Sequence, residues 1–253
     1  MNRDIFSLEG KNALVTGANT GLGQAIAIAL ADAGADVALI GRSAPEETEE
    51  RIKALGRRTA VVMADLSDTS VVSSVIADSE TQLGPVDILV NNAGIIRRQD
   101  ALEFSEDDWD DVLATNLKVP FFLAQAAAKS MTKARRAGKI INVASLLSIQ
   151  GGIRVASYTA SKSGLAGLTR LLANEWASQG INVNAIVPGY FATNNTEALH
   201  NDAERNRQIL DRVPAGRWGD PDDLGGAAVY LASKASDYVH GVLLPVDGGW
   251  LAR

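Results

Sequence analysis

Tyr158 and Lys162 stand four positions apart in the stretch SYTASK, residues 157–162. On a helix, residues at i and i+4 share a face, so a phenol and an ammonium meet here. A free phenol ionises near pH ~10, and a neighbouring cation stabilises the phenolate and lowers that value. The pair therefore has the makings of a tuned acid and base. The same spacing also arises on ordinary helix surfaces, so the context decides. Thirteen residues before Tyr158, Ser145 ends the apolar run GKIINVAS. A strand ending there and a helix starting at the same sheet edge let a hydroxyl and a phenol converge on one carbonyl oxygen. Hydrolase chemistry lacks its parts: the two histidines, His200 and His240, lie in polar or surface-like contexts, and no G-x-S-x-G motif occurs. With no cysteine and no histidine–carboxylate cluster, no metal site is expected.

The elements that must position these groups follow from hydrophobic period. Leu165, Leu168, Leu172 and Trp176 recur at helical spacing and predict a helix from Tyr158 to Gln179. Seven short apolar runs read as strands: KNALVTG, ADVALIG, RTAVVMAD, VDILVNNAG, GKIINVAS, INVNAIVPG and GVLLPVDGG. They are nearly continuous rather than alternating, as in parallel strands covered on both faces, and helical segments separate them. The expected fold is α/β: a doubly wound, seven-stranded parallel sheet with helices on both faces, Rossmann-type, in a single domain spanning 1–253. The rhythm falters only over about 190–220, a polar stretch without strands that is expected to form a substrate pocket or lid.

TGANTGLGQAIA follows the first strand and opens a helix, with Gly17, Gly21 and Gly23 spaced G-x-x-x-G-x-G around Asn19, Thr20 and Leu22. Such a loop brings bare backbone and free N–H groups to a pyrophosphate at a helix N-terminus. A turn that only needs positive φ also selects glycine; the position at the first strand-to-helix crossing favours a dinucleotide. At the tip of the second strand, Gly41 and Arg42 stand where an acidic residue would select NAD, so NADP is tolerated; Arg42 is equally suited to an exposed surface. Asp65 and Leu66 end the third strand, and Asp65 is placed to meet an adenine.

Thirty acidic against 24 basic residues leave a net charge of −6, which disfavours nucleic acid as a partner. The basic run TKARRAGK falls where a helix should end and suits the helix dipole. The first residues lack an apolar core of signal-peptide length, and no apolar run reaches the roughly 18 residues of a membrane span. A cytoplasmic location without membrane association is expected.

Across essentially the whole chain, TGANTGLG, NNAG, the serine before YTASK, and PGYFATNNT resemble the short-chain dehydrogenases/reductases in order and spacing. The resemblance implies that Ser145, Tyr158 and Lys162 form a catalytic triad and that Asn116 completes it by helping to hold a water relay. It implies that the tyrosine transfers the proton, the serine hydrogen-bonds the reacting oxygen, and the lysine also grips the nicotinamide ribose. It places Asn91, Ala93 and Gly94 against the adenosine portion, and Phe191 and Thr193 against the nicotinamide carboxamide, in a turn shaped by Pro188 and Gly189. NAGIIRRQDALEFSEDDWDDV, LSIQGGIRVASYTASKSG, ILDRVPAGRWG and VDGGWLAR are most similar to the branch that oxidises or reduces keto-deoxy sugar acids, the 2-dehydro-3-deoxy-D-gluconate 5-dehydrogenases or 2-deoxy-D-gluconate 3-dehydrogenases. That branch implies NAD(H) and a homotetramer, with NADP(H) left open by Arg42. A sugar acid needs a cation and polar partners. Gln150, Arg154, Arg97, Arg98, Asn194, Asn195 and Trp218 are the candidates beside Ser145 and Tyr158, each also suited to a solvated surface. Two rivals stay open: a 3-oxoacyl thioester reductase of the same family, and a non-catalytic dinucleotide-binding protein.

Overall fold

The structure, a computed structural model, describes residues 3–194 and 196–253. Seven parallel strands form one sheet in the order β3-β2-β1-β4-β5-β6-β7. They are β1 (Asn12–Thr16), β2 (Asp36–Gly41), β3 (Thr59–Met63), β4 (Ile88–Asn91), β5 (Gly138–Val143), β6 (Ile181–Pro188) and β7 (Leu243–Val246). Every run expected to be a strand is one. The order reverses between β1 and β4, so the crossovers before and after that point cover opposite faces and leave a crevice at the carboxyl edge.

Continuous apolar strands serve two cores at once. Leu14 of β1 joins one cluster with Val75, Leu123 and Ile140, whereas its neighbours Ala13 and Val15 join the other with Ile26, Leu30 and Val37. Alternate side chains leave a strand on opposite faces, so a sheet sandwiched by helices must be apolar at every position. The helices are α1 (Gly21–Asp32), α2 (Glu46–Ala54), α3 (Val72–Leu83), α4 (Glu106–Leu113), α5 (Val119–Lys133), α6 (Ala156–Trp176), α7 (Glu197–Asn201), α8 (Ala203–Arg212) and α9 (Gly225–Ala232). A π-helical turn, Ala114–Lys118, joins α4 to α5. Among the described residues, no helix is long and apolar enough to cross a membrane.

Two features differ in detail from the sequence expectations. The helix predicted from Tyr158 starts at Ala156 and ends at Trp176. The polar stretch after β6 is not irregular throughout: α7 and α8 occupy it, and Phe191 and Gly219 form an isolated bridge. The signal for α8 lay in Asp202, whose carboxylate accepts from the Glu204 and Arg205 N–H groups as an N-cap. The basic run after α5 is structural, since Arg136 pairs with the buried Asp87 and Lys139 with Asp237.

Candidate active site

A cleft of about 720 Å³ opens along the carboxyl edge of the sheet. Its floor is the loop between β1 and α1. Gly17 and Gly21 adopt φ of +64° and +58°, in the left-handed region that favours glycine. Gly23 is required by contact instead: a Cβ there would lie 2.1 Å from the Gly17 carbonyl oxygen. Thr20 enters α1 extended without a side-chain cap, and no acidic residue stands in the first turn. The first N–H groups of α1 therefore face the cleft with the positive end of the helix dipole. Asn19, Thr20, Leu22, Arg42, Asp65 and Leu66 line the same cleft, as do Ala93, Gly94, Pro188, Gly189, Phe191 and Thr193. An uncapped helix start, a glycine cradle and a cleft of this size fit a dinucleotide.

Asn91 requires a correction. It is buried, and its amide donates to the Pro120 carbonyl and to Asn142 Oδ1, at 3.2 and 2.9 Å. Its side chain points into the layer that holds Leu89, because the two are separated by a strand's period of two. The next residue, Asn92, lies past the strand end and lines the cleft. Its amide donates to the Thr16 and Gly17 carbonyls at 2.9 and 3.2 Å, tying the glycine loop to β4. Sequence reasoning passed over Asn92, although the doubled asparagine of NNAG was its signal.

Ser145, Tyr158 and Lys162 line one wall. Ser145 caps the short turn Leu146–Ser148 by accepting from the Leu147 N–H, and its hydroxyl also hydrogen-bonds the Tyr158 phenol. Burial holds the Tyr158 phenol above its ordinary ionisation range, while the Ser145 hydrogen bond and the Arg98 charge pull the other way. Burial lowers the Lys162 ammonium to about 8. Its Nζ donates to the Val143 carbonyl at 2.6 Å and stands 5.7 Å from the centre of the phenol ring. The sequence expectation that the neighbouring ammonium lowers the phenol's pKa thus fails here: desolvation outweighs an ammonium turned toward β5. Asn116 sits in the π-helical turn, fully buried. Its Oδ1 accepts from the Ile95 N–H and its Nδ2 donates to the Ile95 carbonyl, both at 2.8 Å. It shapes the wall from behind, and the adjacent Thr115 lines the cleft.

The substrate candidates separate. Arg97, Arg98 and Asn194 line the cleft; Arg97 is paired with Asp108 at 3.0 Å and Asp111 at 3.6 Å. Arg154 does not line it. That residue is exposed, has a left-handed φ of +62°, and approaches Asp100 at 3.7 Å. Being four residues before Tyr158 does not bring it to the site, because α6 begins only at Ala156. Gln150 also lies outside the lining: its Oε1 accepts from Trp250 Nε1 at 3.0 Å and Arg212 Nη2 at 3.2 Å. Trp218 is turned away too, donating to Asn206 Oδ1 at 2.7 Å. Asn195 lies outside the described residues. Thr196, overlooked in the sequence, lines the cleft and donates to the Phe191 carbonyl.

Residues 17–251 match a family profile described as enoyl-(acyl carrier protein) reductase. The chain is 60% identical over 248 residues to the 2-dehydro-3-deoxy-D-gluconate 5-dehydrogenase of Escherichia coli (strain K12), covering 98% of each. It is 58% identical over 250 residues to the enzyme of that name from Dickeya dadantii (strain 3937), covering 99% of each. A crystal structure from Agrobacterium tumefaciens with bound NADP, assigned as a candidate 2-deoxy-D-gluconate 3-dehydrogenase, is 60% identical with a TM-score of 0.95. The match covers 99% of this chain and 100% of that one. By sequence, by architecture and by the residues along its cleft, the chain belongs to the short-chain dehydrogenase/reductase family.

Proposed function

We propose that the protein is an NAD(P)-dependent oxidoreductase acting on a keto or hydroxy group of a deoxy sugar acid, of the 2-dehydro-3-deoxy-D-gluconate or 2-deoxy-D-gluconate type. The carrying observation is that Ser145, Tyr158 and Lys162 share one cleft with the uncapped start of α1. The near full-length likeness to dehydrogenases named for that substrate supports the choice of sugar acid.

The nicotinamide, when bound, supplies or accepts the hydride. The protein's own part is to hold the substrate oxygen and move a proton at it. Tyr158 donates its phenolic proton to the ketone oxygen in reduction and takes it back in oxidation, and Ser145 holds that oxygen by a hydrogen bond. Lys162, at about 8, keeps its charge at neutral pH and would hold the nicotinamide ribose hydroxyls. Asn116, locked to Ile95, is assigned the support of a water relay behind the lysine. Asp65 and Leu66 would hold the adenine, Ala93 and Gly94 the adenosine portion, and Phe191 and Thr193 the nicotinamide carboxamide. Arg98 and Arg97 are assigned to the substrate carboxylate. Arg42 lines the cleft beside Ser43, with Gly41 and no carboxylate at the tip of β2. This supports use of NADP(H) as well as NAD(H). A cytoplasmic homotetramer is part of the same reading. Trp109, Phe122 and Leu171, partly exposed on α4, α5 and α6, support it by offering apolar surface for subunit contact, and light scattering tests it.

The deciding experiment is a panel of keto-deoxygluconate, deoxygluconate and acetoacetyl thioester run with NADH, NADPH and their oxidised forms. The expected result is the highest kcat/KM for the sugar acid. A higher value for the thioester overturns the substrate, and tight cofactor binding without turnover of any substrate overturns the enzyme.

A further inference from the structure

The segment after β7 folds back onto α8, the polar helix that follows the cleft-lining residues Phe191, Thr193, Asn194 and Thr196. Arg253 reaches both free carbonyls at the end of that helix, donating from Nε to the Arg212 oxygen at 3.1 Å and from Nη2 to the Asp211 oxygen at 2.6 Å. Carbonyls in a helix's last turn lack intrahelical partners, so a guanidinium there acts as a cap. Arg212 in turn lies 4.0 Å over the ring of Trp250, a cation–π contact. Gln150, five residues after Ser145, closes the circuit by accepting from both Trp250 and Arg212 on one oxygen. The backbone joins in, with the Ala215 N–H donating to the Gly248 carbonyl at 3.0 Å. Trp250 is buried in a small core with Ile209 of α8 and Leu146, the residue after Ser145.

We propose that residues 250–253 form a strap that fixes α8 to the loop of Ser145, with Gln150, Arg212, Trp250 and Arg253 as positioning residues for the substrate side of the cleft. None of the four lines the cleft, so they act through the elements they join. Apart from Ile209, α8 has no fully buried side chain, and of its charged groups Arg212 is the one turned onto Trp250. Its own packing is thin, and its placement depends on these contacts. The strap bears on the substrate because α8 leads through α7 to Thr196 and Asn194, both in the cleft lining. The glycine loop that would hold the pyrophosphate lies between β1 and α1, and none of the four residues touches it.

The inference rests on the proposed substrate only for the choice of assay. Arg253→Ala and Gln150→Met are compared with wild type by amide hydrogen exchange across 197–212 without substrate, and by steady-state kinetics. Losing two hydrogen bonds is expected to accelerate exchange in α8 and raise the substrate KM about five- to tenfold at near-constant kcat. Arg253→Lys, which can still donate to the carbonyls, should restore most of both. Unchanged exchange in α8, or faster exchange with unchanged KM, overturns the strap. Should wild type reduce no sugar acid, KM is read on whichever ketone of the panel it does reduce, so the two proposals fail separately.

Discussion

Lys162 follows Tyr158 by one turn of α6, yet its ammonium is bonded to the Val143 carbonyl rather than drawn up to the phenol. A buried cation with one carbonyl partner is costly. The folded-state value of about 8 lies below the unfolded 10.5, so the penalty is fully present below pH 8. As pH rises through that window, the folded state releases its proton first, the unfolded state binds more protons, and stability increases. The gap corresponds to a net penalty of roughly 3 kcal/mol. Lys162→Met, which fills similar space without charge, is therefore expected to be inactive but more stable than wild type at pH 7. The advantage should shrink as pH approaches 10. Denaturant melts of the two proteins from pH 7 to 10 check this, and a Met variant less stable at pH 7 contradicts it.

Tyr158→Phe is expected to lower kcat by a factor of about 10²–10⁴, the usual worth of a positioned general acid, while cofactor affinity changes only a few-fold. The raised pKa of Tyr158 adds a directional consequence. At neutral pH the phenol carries its proton and suits reduction, whereas oxidation needs phenolate and should accelerate on the alkaline side. Arg98 lowers that pKa by its charge. Arg98→Gln should therefore move the alkaline limb of the oxidation profile to higher pH, leaving the neutral reduction rate comparatively flat apart from any loss in KM. A limb moving to lower pH would contradict the assigned electrostatics.

The fold was open to sequence reading because buried parallel strands advertise themselves as unbroken apolar runs, and each one proved real. The wall that joins Ser145 to Tyr158 was open for a related reason: the two bracket a strand end and a helix start whose positions the pattern specifies. What escaped depended on side-chain direction. Asn91 and Asn92 are indistinguishable in a doubled asparagine, and only the end of β4 after Asn91 turns one inward and the other to the cleft. Arg154 and Gln150 have the right chemistry at the right sequence distance. Helical phase does not extend to Arg154, which precedes α6, and Gln150 is engaged by Trp250, a partner a hundred residues away. The phenol's environment was misread because local spacing reveals a neighbouring charge but not the burial that opposes it.

Arg42 tests cofactor selection. It lines the adenosine end of the cleft, and its charge is among the influences lowering the Asp65 pKa, so the guanidinium is partly compensated there. Arg42→Ala should raise the KM for NADPH by about tenfold, the worth of one charge-assisted contact, and change that for NADH less than twofold. Equal losses with both cofactors would mean that Arg42 supports the loop rather than reading the 2'-phosphate.

Gly23 offers the sharpest test of the phosphate cradle, because its neighbours cannot yield. A Cβ at this position would meet the Gly17 carbonyl oxygen at 2.1 Å and Asn92 Nδ2 at 2.3 Å. Neither is free to move: Asn92 is bonded to the Thr16 and Gly17 carbonyls, and Thr16 Oγ1 accepts from the Asn92 and Ala93 N–H groups. Gly23→Ala must therefore push α1 away from the loop or break the tie to β4, an overpacking cost of about 1–3 kcal/mol. For a chain of this size that corresponds to a Tm lowered by roughly 2–12 °C. Displacing the α1 N–H groups should also weaken cofactor binding more than tenfold, an order set by the loss of one or two anion contacts. Gly21→Ala provides the contrast: its nearest neighbour, Thr193 Cγ2, is 3.6 Å from the added Cβ, so only the left-handed φ of +58° is penalised. Differential scanning calorimetry and fluorescence titration with NADPH should therefore rank Gly23→Ala as the more damaging of the two. The reverse order would show that backbone conformation, and not the close packing of loop, helix and β4, sets the geometry of the cradle.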